Sequence, residues 1–237
     1  MRIRKTLLAA SLGVGLFSAA SANAALTLTL GGQGVYDTDL NITWLRDANL
    51  AVSNTFGVGG INPAGTPGIF APIDIGGTMK WNTAQSWLAA MNANNYLGFS
   101  DWRLPTTSGG CNGFNCTGSE MGHLFYNELG GTAGSSILSS SDPDLALFQN
   151  VQPYIYWSTP SPYANLAWYF DMRSGFQYDA NKEHHFMFVW AVRDGNSQVS
   201  AVSEPETYAM LLAGLGLLGS TARRKKTVPR NAGSCSA

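Results

Sequence analysis

Charge is scarce in this 237-residue chain: Asp, Glu, Lys and Arg make up 12% of it, and there are only three histidines and three cysteines. The cations are scarcer still in the middle. Between Ala25 and Ser203 six Lys and Arg stand against thirteen Asp and Glu, a net charge of −7. Such a segment lacks the basic footprint that a phosphate backbone demands, which argues against nucleic acid as a partner. It also argues against broad capture of an anionic polysaccharide. With so few His and Cys, metal and thiol chemistry have little to work with. Glu183-His184-His185 is the one dense group, yet neighbours in a strand point to opposite faces, so the two histidines do not readily share an ion. His123 falls inside a helical stretch, as a half-buried or surface residue. No Gly-x-Ser-x-Gly elbow is present. Gly214-Leu215-Gly216-Leu217-Leu218-Gly219 has the spacing of a dinucleotide loop, but it lies in an apolar run with no strand before it. No catalytic residue, cofactor or metal ligand is assigned, and the chain reads as non-enzymatic.

What the chain does possess is concentrated at its ends. Residues 1–24 have the form of a secretory signal peptide: Arg2, Arg4 and Lys5, then apolar Leu7 to Phe17, then Ala22-Asn23-Ala24 with cleavage after Ala24. At the other end Pro205-Glu206 is followed by the uncharged run Thr207 to Ala222 and by Arg223, Arg224, Lys225 and Lys226. Each of those cations would cost about +2.5 to +3.5 kcal/mol at a membrane centre, so the chain stops there with the cations cytoplasmic. The run is sixteen residues, about 24 Å as a helix, short of the roughly 30 Å hydrocarbon core. A temporary hold suits that length better than a permanent anchor, although an ordinary stop-transfer helix is the alternative. The three parts together resemble the PEP-CTERM sorting signal. That resemblance implies exosortase, an inner-membrane transpeptidase-like enzyme that cuts near the Pro-Glu pair in Gram-negative bacteria secreting exopolysaccharide. The expected layout is a signal peptide (1–24), one exported domain (25–203), a sorting signal (204–226) and a cytoplasmic tail (227–237). Signal peptidase and exosortase are the processing partners, membrane insertion is transient, and the destination is the cell surface or the extracellular space.

Within the exported part Cys111 and Cys116 enclose four residues, while Cys235 lies beyond the cations. An even count in an oxidising compartment predicts one local disulfide, Cys111–Cys116; a Cys-x4-Cys metal half-site would lack a partner pair. All seven tryptophans fall in this domain. Gly34 to Asp37 and Ile42 to Leu45 alternate as strands around a turn at Thr38 to Asn41. The acids of that turn begin like a calcium loop but lack its Gly and distal Glu. Ser53 to Thr78 reads as a long loop. A first helix is predicted from an Asn82 or Thr83 cap to about Asn92, with Trp87, Leu88 and Met91 on one face. A second is predicted from Ser119 to Leu129, with Met121, Leu124, Phe125 and Leu129 inward and Gly130-Gly131 ending it. Tyr154 to Ser158, Ala167 to Met172 and Phe186 to Val192 read as strands. The pattern is α+β: two helices on short, twisted antiparallel strands, rich in loops.

Gly98-Phe99-Ser100-Asp101-Trp102-Arg103-Leu104-Pro105-Thr106, Tyr156-Trp157-Ser158-Thr159 and Val189-Trp190-Ala191-Val192-Arg193-Asp194-Gly195 resemble the Lcl C-terminal domain family, over about Tyr36 to Gly195. The arginine-leucine-proline-threonine step and the late strand also resemble the formylglycine-generating enzymes. Both resemblances imply a C-type-lectin-like fold. Thr107 to Gly118, with both exported cysteines, departs from the family pattern as an insertion. Trp102 and Trp190 are expected in the core, Pro105 in the turn into the helix, and Arg103 and Arg193 on carboxylates such as Asp101 or Asp194, or on carbonyls. Formylglycine-type oxidation needs cysteines in a late-strand pocket, and the exported pair sits in an early loop. Two function classes follow: a surface or matrix module binding exopolysaccharide or a surface protein, or a degenerate enzyme of the formylglycine-generating type. A purely structural matrix protein is a third. The candidate ligand surface is Tyr154, Tyr156, Trp157, Tyr163, Trp168 and Tyr169, whose rings could stack on sugars.

Overall fold

The computed structural model describes residues 26–59 and 72–196. The signal peptide with Ala24, the sorting residues Pro205 and Glu206, the apolar run, the cations Arg223, Arg224, Lys225 and Lys226, and Cys235 lie outside the described residues. Among the described residues no helix is long and apolar enough to cross a membrane.

Two antiparallel sheets and two helices make an α+β fold. The first sheet runs β1 (Leu26–Thr29), β2 (Gly34–Asp37), β3 (Ile42–Leu45) and β7 (Val192–Asp194), in that order. It therefore joins the two ends of the domain. The second is a meander of β4 (Ile155–Pro160), β5 (Leu166–Asp171) and β6 (Phe176–Asn181). The turn between β2 and β3 is held by Asp37, whose Oδ1 accepts the Asp39 and Leu40 amides, both at 3.0 Å.

Helix α1 spans Trp81–Ala93 and buries Ala84, Trp87, Leu88 and Met91. It begins at Trp81, ahead of the Asn82 or Thr83 cap read from the sequence, because the Trp81 amide donates to the Lys182 carbonyl at 3.2 Å. A contact with a distant loop takes the place of a side-chain cap. Helix α2, Glu120–His123, starts on Ser119, whose Oγ accepts the Gly122 amide at 3.0 Å. It continues as a π-helical turn over Leu124–Glu128, and Gly130, at φ +62°, closes it.

The segment expected as one strand from Phe186 to Val192 is divided between partners. Met187 pairs with Met79, Phe188 with Tyr156, and the Ala191 carbonyl accepts the Leu45 amide at 2.9 Å. The chain thus passes from the second sheet to the first, and only Val192–Asp194 stays long enough on one neighbour to form a strand. Two strands, β1 and β6, had no counterpart in the sequence reading. In β6 the Asp and Asn residues disguise the alternation, and its pairing with β5 over six residues supplies what local preference does not.

The core between these elements is built on indoles. Trp44, Trp87, Trp157 and Trp190 are wholly buried. Five tryptophans donate their ring N–H to backbone carbonyls of other segments: Trp81 to Ser158, Trp87 to Asn54, Trp102 to Tyr96, Trp157 to Met79 and Trp190 to Leu45, at 2.7–3.0 Å. Each ring fills space while its N–H ties it to the backbone; the Met79 and Tyr96 carbonyls also accept the Met187 and Phe99 amides.

Gly175 turns β5 into β6 at φ +76°, and a Cβ there would stand 2.3 Å from the Tyr126 hydroxyl oxygen. Gly175→Ala is expected to lower stability by about 1–3 kcal/mol, read as a reduced urea midpoint with an unchanged slope. Trp190→Phe, which keeps a ring but leaves the Leu45 carbonyl unpaired, should lose a similar amount.

Candidate functional site

The two motif arginines cross-pair the ends of the family motifs. Arg103 forks onto Glu120, with Nη1–Oε2 and Nη2–Oε1 both 2.9 Å, and also meets Asp194. Burial alone would lower its pKa, but the Glu120 and Asp194 carboxylates outweigh that and raise it. Arg193 forks onto Asp101 at 2.8 and 2.9 Å and stacks on Phe99, 3.8 Å from the ring centre. The Arg103 backbone pairs with Val192 in both directions, so these ion pairs lock the motif loop onto β7. Pro105, buried before α2, offers its carbonyl to the Ser158 hydroxyl.

The six aromatics proposed as a ligand surface divide. Tyr156, Trp157 and Trp168 are buried, which corrects their assignment: the first two face the core and Trp168 is covered despite sitting on the second sheet. Tyr154 and Tyr163 are exposed, at 54% and 68%, and Tyr169 is half-buried. Tyr169 pairs across strands with Tyr178, itself exposed, and Phe176 lies two residues away on the same face of β6. Phe114 completes this strip, edge-on to Phe176 at 5.1 Å. Phe114 is held there by the inserted loop: a disulfide joins Cys111 and Cys116, Gly113 pairs with Gln177 of β6, and the Asn115 amide donates to Tyr126 Oη. None of Phe114, Phe176 and Tyr178 was singled out from the sequence, because their adjacency depends on where the loop docks.

At the far end of β6 opens a polar cleft of about 480 Å³, lined by Asn82, Ala164, Asn165, Asn181, Lys182, Glu183 and His184. Tyr163 is the chain neighbour of Ala164. The Lys182 ammonium is tied down, donating to the Ala164 carbonyl at 2.9 Å and lying over the Trp81 ring at 4.7 Å. Asn82 Nδ2 donates to Glu183 Oε1. His184 lines this cleft, while His185 is exposed.

A different group comes together beneath the β2–β3 turn. Asp37, His123 and Glu128 each place a potential ligand atom within 4.8 Å of the others. His123 Nε2 is 2.9 Å from Glu128 Oε1 and 3.9 Å from Asp39 Oδ2. Asp37 and Glu128 are buried, at 0% and 3% exposure. The Glu128 carboxyl is pushed up to about 7, first by burial and then by the Asp37 charge, against the pull of His123. Burial likewise raises Asp37, offset in part by the Leu40 amide. Nothing local in the sequence pairs His123 with Glu128. Five residues apart on an α-helix they would diverge, and the i→i+5 register of the π turn brings them together.

Over residues 33–193 the sequence matches the family described as the Lcl C-terminal domain. The chain belongs to the Lcl C-terminal domain family. Residues 201–226 match the PEP-CTERM protein-sorting motif, which marks an exported protein sorted by exosortase to the surface of Gram-negative bacteria. No curated protein matches the chain. In this Lcl C-terminal domain the family's arginines and tryptophans hold the frame together, and the exposed chemistry lies along β6 and its cleft.

The Glu128 shift has a definite sign. A folded-state pKa near 7, above the ordinary 4.5, means that the folded chain holds a proton which the unfolded chain has released. This group's contribution is therefore full below pH 4.5 and is lost as pH rises to 7. In chelator-treated protein, Glu128→Gln is expected to gain stability relative to wild type progressively across that window. Parallel thermal midpoints for the two proteins from pH 4.5 to 7 would contradict the assignment.

Proposed function

We propose that the exported domain is a non-catalytic surface or matrix module that binds a polysaccharide of low charge along β6. The observation that carries this reading is one edge strand with an aromatic strip, exposed Phe114 and Tyr178 with half-buried Phe176 between them, at one end and the amide-rich cleft at the other. Sugar rings stack on aromatic faces. Their hydroxyls both donate and accept, as do the Asn82, Asn165 and Asn181 amides. The net charge of −7 between Ala25 and Ser203 disfavours a polyanion, and the Lys182 ammonium in the cleft is held on the Ala164 carbonyl and the Trp81 ring. The C-type-lectin-like resemblance supports the same reading by analogy alone. Cleavage near Pro205-Glu206 by exosortase would free the domain from its membrane hold, so that it acts at the surface or in the secreted matrix.

The exported chain, assayed against neutral and anionic polysaccharides, is expected to retain a neutral one with little dependence on salt. Tyr178→Ala and Asn165→Ala should each weaken binding about 2- to 10-fold, the range of one stacking contact or hydrogen bond, with thermal midpoints close to wild type. Retention of no polysaccharide, or binding that vanishes in moderate salt, would overturn the proposal.

A further inference from the structure

The acid–imidazole group under the β2–β3 turn belongs neither to the cleft nor to the aromatic strip. It draws on three places in the chain: Asp37 at the end of β2, His123 at the end of α2 and Glu128 at the end of the π turn. Asp37 is wholly buried, and its two oxygens are treated differently. Oδ1 is occupied by the Asp39 and Leu40 amides, whereas Oδ2 is buried with no hydrogen-bond partner. The Trp44 indole N–H lies close to this carboxylate but does not reach hydrogen-bond geometry. A buried carboxylate oxygen without a partner, beside a second buried carboxylate, is costly unless a cation completes the group. The π turn that aligns His123 with Glu128 is itself an uncommon feature, frequent at functional sites.

We propose that Asp37, His123 and Glu128 bind one zinc ion, with Asp39 as the fourth ligand, in a closed structural site that pins the β2–β3 turn to α2. The donor set selects the metal. Calcium and magnesium take oxygen ligands in shells of six to eight or six, whereas one imidazole with carboxylates in a four-donor group suits zinc. Ligand atoms about 2.0–2.2 Å from a tetrahedral ion stand a little over 3 Å apart. The spacings here, 2.9 Å and 3.9 Å about His123 Nε2 and 4.8 Å at most among the three residues, bracket that value. Asp39 is half-exposed, and its carboxylate would turn inward to complete the shell. Asn127 stands 3.2 Å from His123 Nδ1; with its amide turned over it would accept the Nδ1 proton and orient the ring for zinc at Nε2. The site would serve stability, independently of the proposed binding along β6.

The test is zinc titration of the full-length chain after chelation, followed by elemental analysis and thermal denaturation. The expected result is about one zinc per chain and a midpoint that rises with zinc. Both effects should be lost in His123→Gln and Glu128→Gln and kept in His184→Gln and His185→Gln. Absence of retained zinc in wild type, or retention unaffected by His123→Gln, would overturn the proposal. Should the ligand variants fail to fold, cobalt-loaded wild type decides by NMR. Paramagnetically shifted His123 ring protons support the site, and shifts confined to His184 or His185 refute it. Polysaccharide binding is measured separately, so failure of either proposal leaves the other standing.

Discussion

The fold depends on indole rings, most of them buried, that donate to backbone carbonyls elsewhere in the chain. A domain with short strands and long loops leaves many backbone groups outside any ladder, and each one buried without a partner costs free energy. Here Trp87, Trp102, Trp157 and Trp190 from within the core, and half-buried Trp81 at its margin, add indole donors to that accounting. Apart from Trp102 on nearby Tyr96, their partners are far off in sequence, as with Trp157 on Met79 and Trp190 on Leu45. The ring supplies apolar area, and the single N–H fixes which loop it faces. Most other large side chains would do only the first.

The arginines complete what the indoles begin. Arg103 reaches α2 through Glu120 and β7 through Asp194, and Arg193 reaches back to Asp101. The two forks cross, so that the early motif loop and the late strand each hold the other. Planar, bidentate pairs of this kind fix geometry as well as charge. These family residues hold the frame, and the chain departs from its family elsewhere. The disulfide loop is the clearest such departure, because it adds Gly113 to the edge of β6 and brings Phe114 to the aromatic strip. A domain displayed at a cell surface can vary such an edge without disturbing the packed indoles beneath it.

The α+β class, the β2–β3 hairpin, the inward face of α1, and the family and sorting motifs were all legible from the chain, since each rests on local periodicity or on a contiguous signature. Ser119 and Gly130 bound the second helix as their chemistry requires. Ring content does not reveal facing, so three of the six aromatics offered as a ligand surface are buried. Tyr154, just before β4, is exposed, while Tyr156 is buried against Phe188 and Trp190 and Trp157 is buried on the Met79 carbonyl. Phe176 and Tyr178 went unnoticed because their strand is held by its partner rather than by its own residues.

The sequence by itself determined the acidic charge of the exported segment, the character of the two ends and the order of the elements, because each of these is a property of neighbours along the chain. Only the tertiary structure decided which rings meet solvent, which carboxylate each arginine takes, and that Asp37 meets His123 and Glu128. Those outcomes turn on residues dozens of positions apart, and on a single π turn that shifts one helix face by a residue. Local preference carries no information about either.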